Sequence, residues 1–221
     1  ESTGADIDEV AKSIGMDTRI GSKFLKASVG FGGSCFQKDI LNLVYISKSL
    51  GLKKVANYWY QVIEINNHQK RRFAKNILKS LYNNISGKKI TFFGWAFKKD
   101  TNDSRESAAI YVADILIEEK AKILVFDPGV EKYQIQQDIK SLNSLDNNKL
   151  ESVEILNEPY QACKNSHAIA ILTEWDEFKE YDWKKIYNLM SKPAHIFDGR
   201  NILDRKDLEK IGFNYKGIGK N

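Results

Sequence analysis

Cys35 is the residue of this chain best placed for covalent chemistry. It follows Gly30-Phe31-Gly32-Gly33-Ser34 and precedes Phe36-Gln37-Lys38-Asp39. Glycines at 30, 32 and 33 let the backbone bend tightly and come close to a ligand. Phe36, Ile40, Leu41, Val44 and Tyr45 then recur at helical spacing. The stretch reads as a glycine loop running into a helix, with Ser34 as N-cap and Cys35 in the first turn. Free N–H groups and the helix dipole favour an anion there, and so a thiolate. Asp39 lies four residues on, on the face of Cys35, placed to activate water or shuttle a proton. A thiol, a carboxylate and a loop of free donors form a constellation for covalent catalysis. The opposing reading is a small buried hydrophobe, the usual state of a lone cysteine.

The elements that must position this loop can be read from periodicity. Residues 6–15 read as a short helix ended by Gly15, with Ile7, Val10, Ala11 and Ile14 on one face. Leu52 to Tyr82 holds the longest helical pattern, with Trp59, Val62, Ile63, Asn66, Phe73, Ile77, Leu78 and Leu81 at three- and four-residue steps. About 25 residues of helix would span about 37 Å, the length of a spine between domains or of a dimer contact. His68 on it has no partner and reads as solvated or capping.

After Ser86-Gly87 the rhythm changes. Lys89 to Gly94 is a strand running into a loop. Asp103 or Ser104 caps the next helix, with Glu106 at capping-box spacing from Asp103. That helix carries Ala108, Tyr111, Val112, Ile115 and Leu116, and Ala121 to Pro128 is a second strand. Strand, helix, strand implies a parallel sheet, with ligands outside the strand C-termini. Phe97, Lys98 and Arg105 fall at that edge, where lysine suits phosphate as a point charge and arginine as a bidentate partner. Of a Gly-x-Gly-x-x-Gly fingerprint only Gly94 remains, so this sheet need not bind a dinucleotide.

Residues 129–150 read as a polar connection with a short helix. Glu151 to Leu156 is a third strand candidate, and Pro159 opens a helix. Ala168 to Leu172 is a continuous apolar run, the mark of a buried parallel strand. Trp183, Ile186, Tyr187 and Met190 mark a helix, and His195 to Asp198 a further strand. Arg200 follows it, either paired with Asp198 or Asp204 or facing a ligand. Cys163 lies in helical sequence with no glycine loop beside it and reads as structural.

Composition sets the outer bounds. In 221 residues, 42% are hydrophobic and 11% aromatic, which excludes a mostly disordered chain. The net charge of +5 is dispersed, apart from Lys98-Lys99 and Lys70-Arg71-Arg72. There is no zinc spacing and no RNA-binding signature, so neither a metal nor a nucleic acid is expected. Two distant cysteines form no disulfide framework and suit a reducing, cytoplasmic setting. No apolar run reaches the length of a membrane span, and no signal peptide opens the chain. Glu1-Ser2-Thr3-Gly4 reads as the middle of an element, so a fragment is expected.

These residues also resemble a known family. Gly30 to Asp39 is similar to the nucleophile motif of the UDP-glucose 6-dehydrogenases, and Phe24-Leu25-Lys26-Ala27-Ser28 precedes it as in that family. Gly94-Trp95-Ala96-Phe97-Lys98-Lys99-Asp100-Thr101 and Asp103-Ser104-Arg105-Glu106-Ser107 resemble a second signature. Thr173-Glu174-Trp175 and Phe197-Asp198-Gly199-Arg200 resemble a third and a fourth. The resemblance runs in order along essentially the whole chain. Family members begin with a dinucleotide-binding domain, so it implies a chain that starts after it.

The implied fold class is α/β: a helical central and dimerisation region with a long spine helix, residues 1–84, then a Rossmann-like parallel-sheet UDP-binding domain, residues 85–221. The implied activity is NAD-dependent four-electron oxidation of UDP-glucose to UDP-glucuronate through a thiohemiacetal and a thioester on Cys35. Phe24, Lys26, Ala27, Ser28, Val29, Gly30, Phe31, Gly32, Phe97, Lys98 and Arg200 would bind the substrate. Arg19 would reach a substrate in the neighbouring subunit. Lys38 and Arg105 would reach towards NAD. The chain alone is expected to be inactive, since other family residues and the NAD fingerprint belong to the missing half. Rival readings are a dehydrogenase of UDP-N-acetyl-mannosamine, UDP-N-acetyl-glucosamine or GDP-mannose, and a non-catalytic UDP-sugar-binding or dimerisation module. A cysteine hydrolase would need a histidine base, which none of His68, His167 and His195 provides by pattern.

Overall fold

A computed structural model of the chain describes residues 1–142 and 149–220. Part of the polar connection expected over 129–150 therefore lies outside the described residues.

Three helices form the first part. Helix α1 (Ile7–Gly15) is capped by the Asp6 carboxylate, which accepts from the Asp8 N–H at 2.8 Å. It has no fully buried residue: of the apolar face expected from its sequence, Ile7 and Ala11 are half-buried and Val10 and Ile14 are exposed. Helix α2 (Phe36–Ser49) and helix α3 (Lys53–Ser80) pack on each other through Ile40, Val44, Ala56 and Ile63, joined by a turn at Gly51. At 28 residues, α3 is about 42 Å long and does two jobs. Its first half covers α2. Its second half inserts Phe73, Ala74 and Ile77 into the core under the sheet.

The sheet has six parallel strands: β1 (Lys89–Phe93), β2 (Lys122–Phe126), β3 (Val153–Ile155), β4 (Ala168–Ile171), β5 (His195–Asp198) and β6 (Asn214–Gly217). Their order is β3-β2-β1-β4-β5-β6, a doubly wound arrangement. Phe93 pairs with both Phe126 and Ile171, and Ile171 with Asp198, so these strands end level. Ile90, Phe92, Ile123, Val125 and Ala170 pack on one face with Val112 and Leu116 of helix α4 (Ala108–Glu118). Phe93, Ile169, Ile171 and Ile196 pack on the other with Trp183 and Ile186 of helix α7 (Trp183–Leu189). Alternate residues of each strand thus serve opposite cores, as a sheet covered on both faces requires. The remaining helices are α5 (Lys132–Lys140), α6 (Pro159–Ala162) and α8 (Arg205–Ile211).

The α/β class, the long helix and the parallel sheet agree with the sequence reading. Three local details differ. Helix α4 is capped by Ser107, not by Asp103 or Ser104. Glu106 takes a left-handed backbone (φ 56°) and ends the preceding loop, so the capping box does not form. Strand β3 starts at Val153, because residues 149–152 form a 3₁₀ turn. Strand β6 and helix α8 were not expected. The strand is Asn-Tyr-Lys-Gly, with only Tyr215 buried, and lacks an apolar run.

Candidate active site

The glycine loop is held from two sides. From α3, Asn66 accepts from the Phe31 N–H at 2.9 Å and donates to the Phe31 carbonyl at 3.1 Å. From the segment before α4, the Arg105 carbonyl accepts from the Gly33 N–H at 2.8 Å. A Cβ at Gly30 would lie 2.6 Å from Asn66 Oδ1, and one at Gly32 would lie 2.5 Å from the Glu106 carbonyl oxygen. Neither position tolerates a side chain, which is why the loop needs glycine there.

Cys35 is exposed and is itself the N-cap of α2, one residue later than the expected cap at Ser34. Its side chain makes no capping bond, and Ser34 Oγ lies 3.6 Å from its Sγ. Asp39 closes the first turn, its N–H donating to the Cys35 carbonyl at 2.8 Å. The Asp39 side chain is exposed and lies outside the set of residues lining the cleft described next.

Cys35 opens into a cleft of about 630 Å³. Its loop-side wall is Phe24, Lys26, Ser28 and the loop from Gly30 to Phe36, with Lys23. The opposite wall is Phe97, Lys98, Glu174 and Arg200, all at the C-terminal edge of the sheet. Arg200 pairs with Glu174 at 2.6 Å, not with Asp198 or Asp204. A cleft of this size with lysines and an arginine can hold a phosphorylated ligand against a thiol.

Two carboxylates shape the sheet-side wall. Asp127, after β2, accepts from the N–H groups of Ala96 (2.9 Å), Gly129 (2.7 Å) and Val130 (2.8 Å), from the Trp95 N–H, and from Trp175 Nε1 at 3.2 Å. It ties the loops that carry Phe97, Lys98 and Glu174. Asp198, fully buried at the end of β5, accepts from the N–H groups of Arg200 (3.0 Å), Ile202 (2.9 Å) and Leu203 (2.9 Å) and from the Tyr215 hydroxyl (3.1 Å). Burial pushes the Asp198 carboxyl up, and these donors hold it down. Together they turn the chain so that Arg200 enters the cleft.

The switch point between β1 and β4 is closed. A Cβ on Gly94 would lie 2.3 Å from the Thr173 Cβ, and Trp95 is wholly buried beside it. The acidic residue after β2, which binds a ribose in dinucleotide-binding sheets, here serves backbone N–H groups.

A second cleft of about 410 Å³ adjoins the first, sharing Gly33 and Ser34. It is lined by Gln37, Lys38, Leu41, Arg105 and Glu106. Arg105 is paired with Asp103 at 2.8 Å, which raises its pKa further. Lys38 and Arg105 therefore line one cleft beside the glycine loop, as a donor set suited to an anionic phosphate.

Other expected residues lie elsewhere. Arg19 is exposed, bound to Asp17 at 2.6 Å, and outside the lining of both clefts. Val29 is buried in the core, its Cγ2 against Gly199. Ala27 also lies outside the lining. Cys163 is buried, and burial pushes its thiol up, as a structural cysteine requires. Lys23, Gly33, Ser34, Phe36 and Glu174 line the main cleft without having been expected as substrate-binding residues; their signal was adjacency to the motifs. Among the described residues no group of side chains could hold a metal ion, and no helix is long and apolar enough to cross a membrane.

Comparison with known proteins fits this geometry. The central-domain model of the UDP-glucose/GDP-mannose dehydrogenase family matches residues 1–68, and that family's UDP binding domain matches residues 91–205. UDP-glucose 6-dehydrogenase of Drosophila melanogaster is 54% identical over 222 residues, covering 100% of this chain and 47% of its own length. The Caenorhabditis elegans enzyme of that name is 56% identical, over 99% of this chain and 45% of its own length. The chain thus spans about half the length of the curated relatives it matches. Among solved structures, a UDP-glucose dehydrogenase from Pyrobaculum islandicum superposes with a TM-score of 0.75 at 26% identity, over 100% of this chain and 45% of that one. An NDP-N-acetyl-D-galactosaminuronic acid dehydrogenase from Methanosarcina mazei shares the fold, with a TM-score of 0.77 at 21% identity, over 100% of this chain and 45% of that one.

Proposed function

The chain belongs to the UDP-glucose/GDP-mannose dehydrogenase family, and on that premise we propose that it is the substrate-binding and nucleophile-bearing part of an NAD-dependent enzyme oxidising UDP-glucose to UDP-glucuronate. The observation that carries this reading is the juxtaposition, across one cleft, of the Cys35 thiol with Lys98 and Arg200. Residues 1–84 form the helical part with the nucleophile, and residues 85–221 the nucleotide-binding part.

The chemistry follows from what each wall offers. Lys98 and Arg200, with Lys26 opposite, neutralise the diphosphate and leave the sugar towards the loop. The Cys35 thiolate adds to the C6 aldehyde left by a first oxidation and forms a thiohemiacetal. Oxidation of that adduct leaves a thioester on Cys35, and water cleaves it to the carboxylate and the free thiol. NAD, when bound, accepts a hydride in each oxidation, and Lys38 and Arg105 of the second cleft suit its phosphates. Asp39 is one turn from Cys35, in reach of a proton through water and not by direct contact. Covalent capture keeps the aldehyde from leaving between the two oxidations.

The same reading makes the helical part a dimer contact. Val10, Ile14, Leu43, Ile46 and Val55 are exposed apolar residues of α1, α2 and α3, and a second copy would cover such a surface. Arg19, remote from this chain's own cleft, would then reach the partner's. Alone, the chain turns over no substrate.

Calorimetric titration with UDP-glucose and GDP-mannose tests the substrate. Preferential binding of UDP-glucose, weakened about tenfold or more by Arg200→Ala, is expected from loss of a charged partner. Equal or tighter binding of GDP-mannose would overturn the substrate assignment.

A further inference from the structure

Lys70 is the least explained charged group in the molecule. It lies on α3, is 1% exposed, and its ammonium has no hydrogen-bond partner among the described residues. A buried cation without a partner is unfavourable unless something nearby uses it. Its surroundings show what that is. Its stem floors the glycine loop: a Cβ on Gly30 would lie 3.2 Å from Lys70 Cγ. Its Nζ sits 3.8 Å from the centre of the Tyr111 ring, a buried cation–π contact. The Tyr111 hydroxyl donates to the Glu106 carboxylate. That carboxylate also accepts from Gln37 Nε2 at 2.9 Å, and Gln37 is in the first turn of α2, two residues after Cys35.

We propose that Lys70 is a positioning residue for the nucleophile: a buried cation that holds Tyr111, and through it Glu106 and Gln37, so that the glycine loop and the start of α2 present Cys35 to the cleft. Neither cleft is lined by Lys70, so it acts on Cys35 only through these neighbours. The attraction is to both the ring and the carboxylate. Removing the charge leaves Glu106 to hold two donors with nothing behind it. The proposal rests on the reading of Cys35 as the reactive thiol.

The groups that set the charge of Lys70 come from each element around it. Glu106, before α4, and Tyr111, on α4, are the titratable ones; α3 and the loop contribute neutral Asn66 and Gly30. Burial pulls the Lys70 ammonium down to about 8, and Glu106 pulls it back up. Loop order should therefore fall as Lys70 loses its proton between pH 7 and 9.

The test is hydrogen exchange over peptides spanning Val29–Asp39, corrected for intrinsic rates, in the full-length protein and its Lys70→Met and Lys70→Arg variants. Lys70→Met keeps the stem without the charge, and Lys70→Arg keeps the charge. At pH 7 the amides of this segment are expected to exchange about tenfold faster in Lys70→Met and within twofold of wild type in Lys70→Arg. Cys35 alkylation by iodoacetamide should slow in Lys70→Met and recover in Lys70→Arg. Above pH 8 the wild type should approach Lys70→Met. Equal exchange in wild type and Lys70→Met, or equal loosening in both variants, overturns the proposal. If Lys70→Met does not fold, the wild-type pH series decides, and a flat series from pH 7 to 9 overturns it. Failure of the nucleotide-sugar reading would appear instead as absent UDP-glucose binding with the exchange pattern intact.

Discussion

The two walls of the cleft are built on opposite principles. On the sheet side, the acidic groups under the wall are surrounded by donors. Asp127 gathers five N–H groups, and Asp198 three N–H groups and a hydroxyl. On the loop side, the buried ion is Lys70, and its ammonium has no hydrogen bond among the described residues. The first arrangement is stabilising, because each donor would otherwise lack an acceptor. The second opposes folding, because burial of the charge is offset only by a ring and a distant carboxylate. The sheet side is therefore a well-tethered scaffold, while on the proposed reading the loop side gives up stability to hold the Cys35 thiol in place. Surface burial follows the same division. The sheet has apolar cores on both faces, whereas α1 has no fully buried residue.

The sharpest way to break this division is at the nucleophile. In the full-length protein, Cys35→Ala should lower UDP-glucose-dependent NAD reduction by about 10⁴-fold, the scale of losing a covalent nucleophile, while nucleotide affinity stays within about twofold. A large loss of affinity with the rate preserved would mean that the loop wall binds and does not react. Next in size is the sheet-side tether. Asp127→Ala leaves several N–H groups of the β1 and β2 loops without an acceptor and should lower unfolding free energy by about 3 kcal/mol. Denaturant titration checks this; an unchanged midpoint would remove Asp127 from the account of the wall.

An effect of similar size carries the opposite sign. Lys70 titrates at about 8 in the folded chain and at 10.5 in its ordinary state. Between those values the unfolded chain binds more protons, so stability should rise with pH from about 8 towards 10.5. Below about pH 8 the full penalty is present, about 3 kcal/mol at 1.36 kcal/mol per pH unit. Lys70→Met should therefore be the more stable protein at pH 7, with that part of the alkaline rise in unfolding free energy removed. A variant less stable than wild type at pH 7 would make Lys70 an ordinary packing residue, and the contrast between the walls would fail.

Much of this molecule was legible in its sequence, for local reasons. The glycine loop ahead of Cys35, the long helix and the apolar strand Ala168–Ile171 declare themselves through neighbours a few residues apart. Phe97, Lys98 and Arg200 were placed at a ligand edge because they follow strands, and the structure puts them on one wall. Other features depended on groups distant in sequence. Asn66 meets Phe31 across 35 residues, and Asp127 meets Ala96 across 31. A polar residue in an apolar stripe, such as Asn66, hinted at a buried partner without saying which. Lys70 read only as part of a basic run, since nothing in Lys-Arg-Arg tells which cation faces inward. The cap of α4 moved to Ser107 because Glu106 turns towards the loop instead of starting the helix. The sequence alone determined which residue types carry the chemistry and the period of the elements that bear them, since both are short-range properties. The tertiary structure decided which charges are buried, which loops touch and where Asp39 and Arg19 fall relative to the cleft, because burial and contact exist only once distant segments have packed.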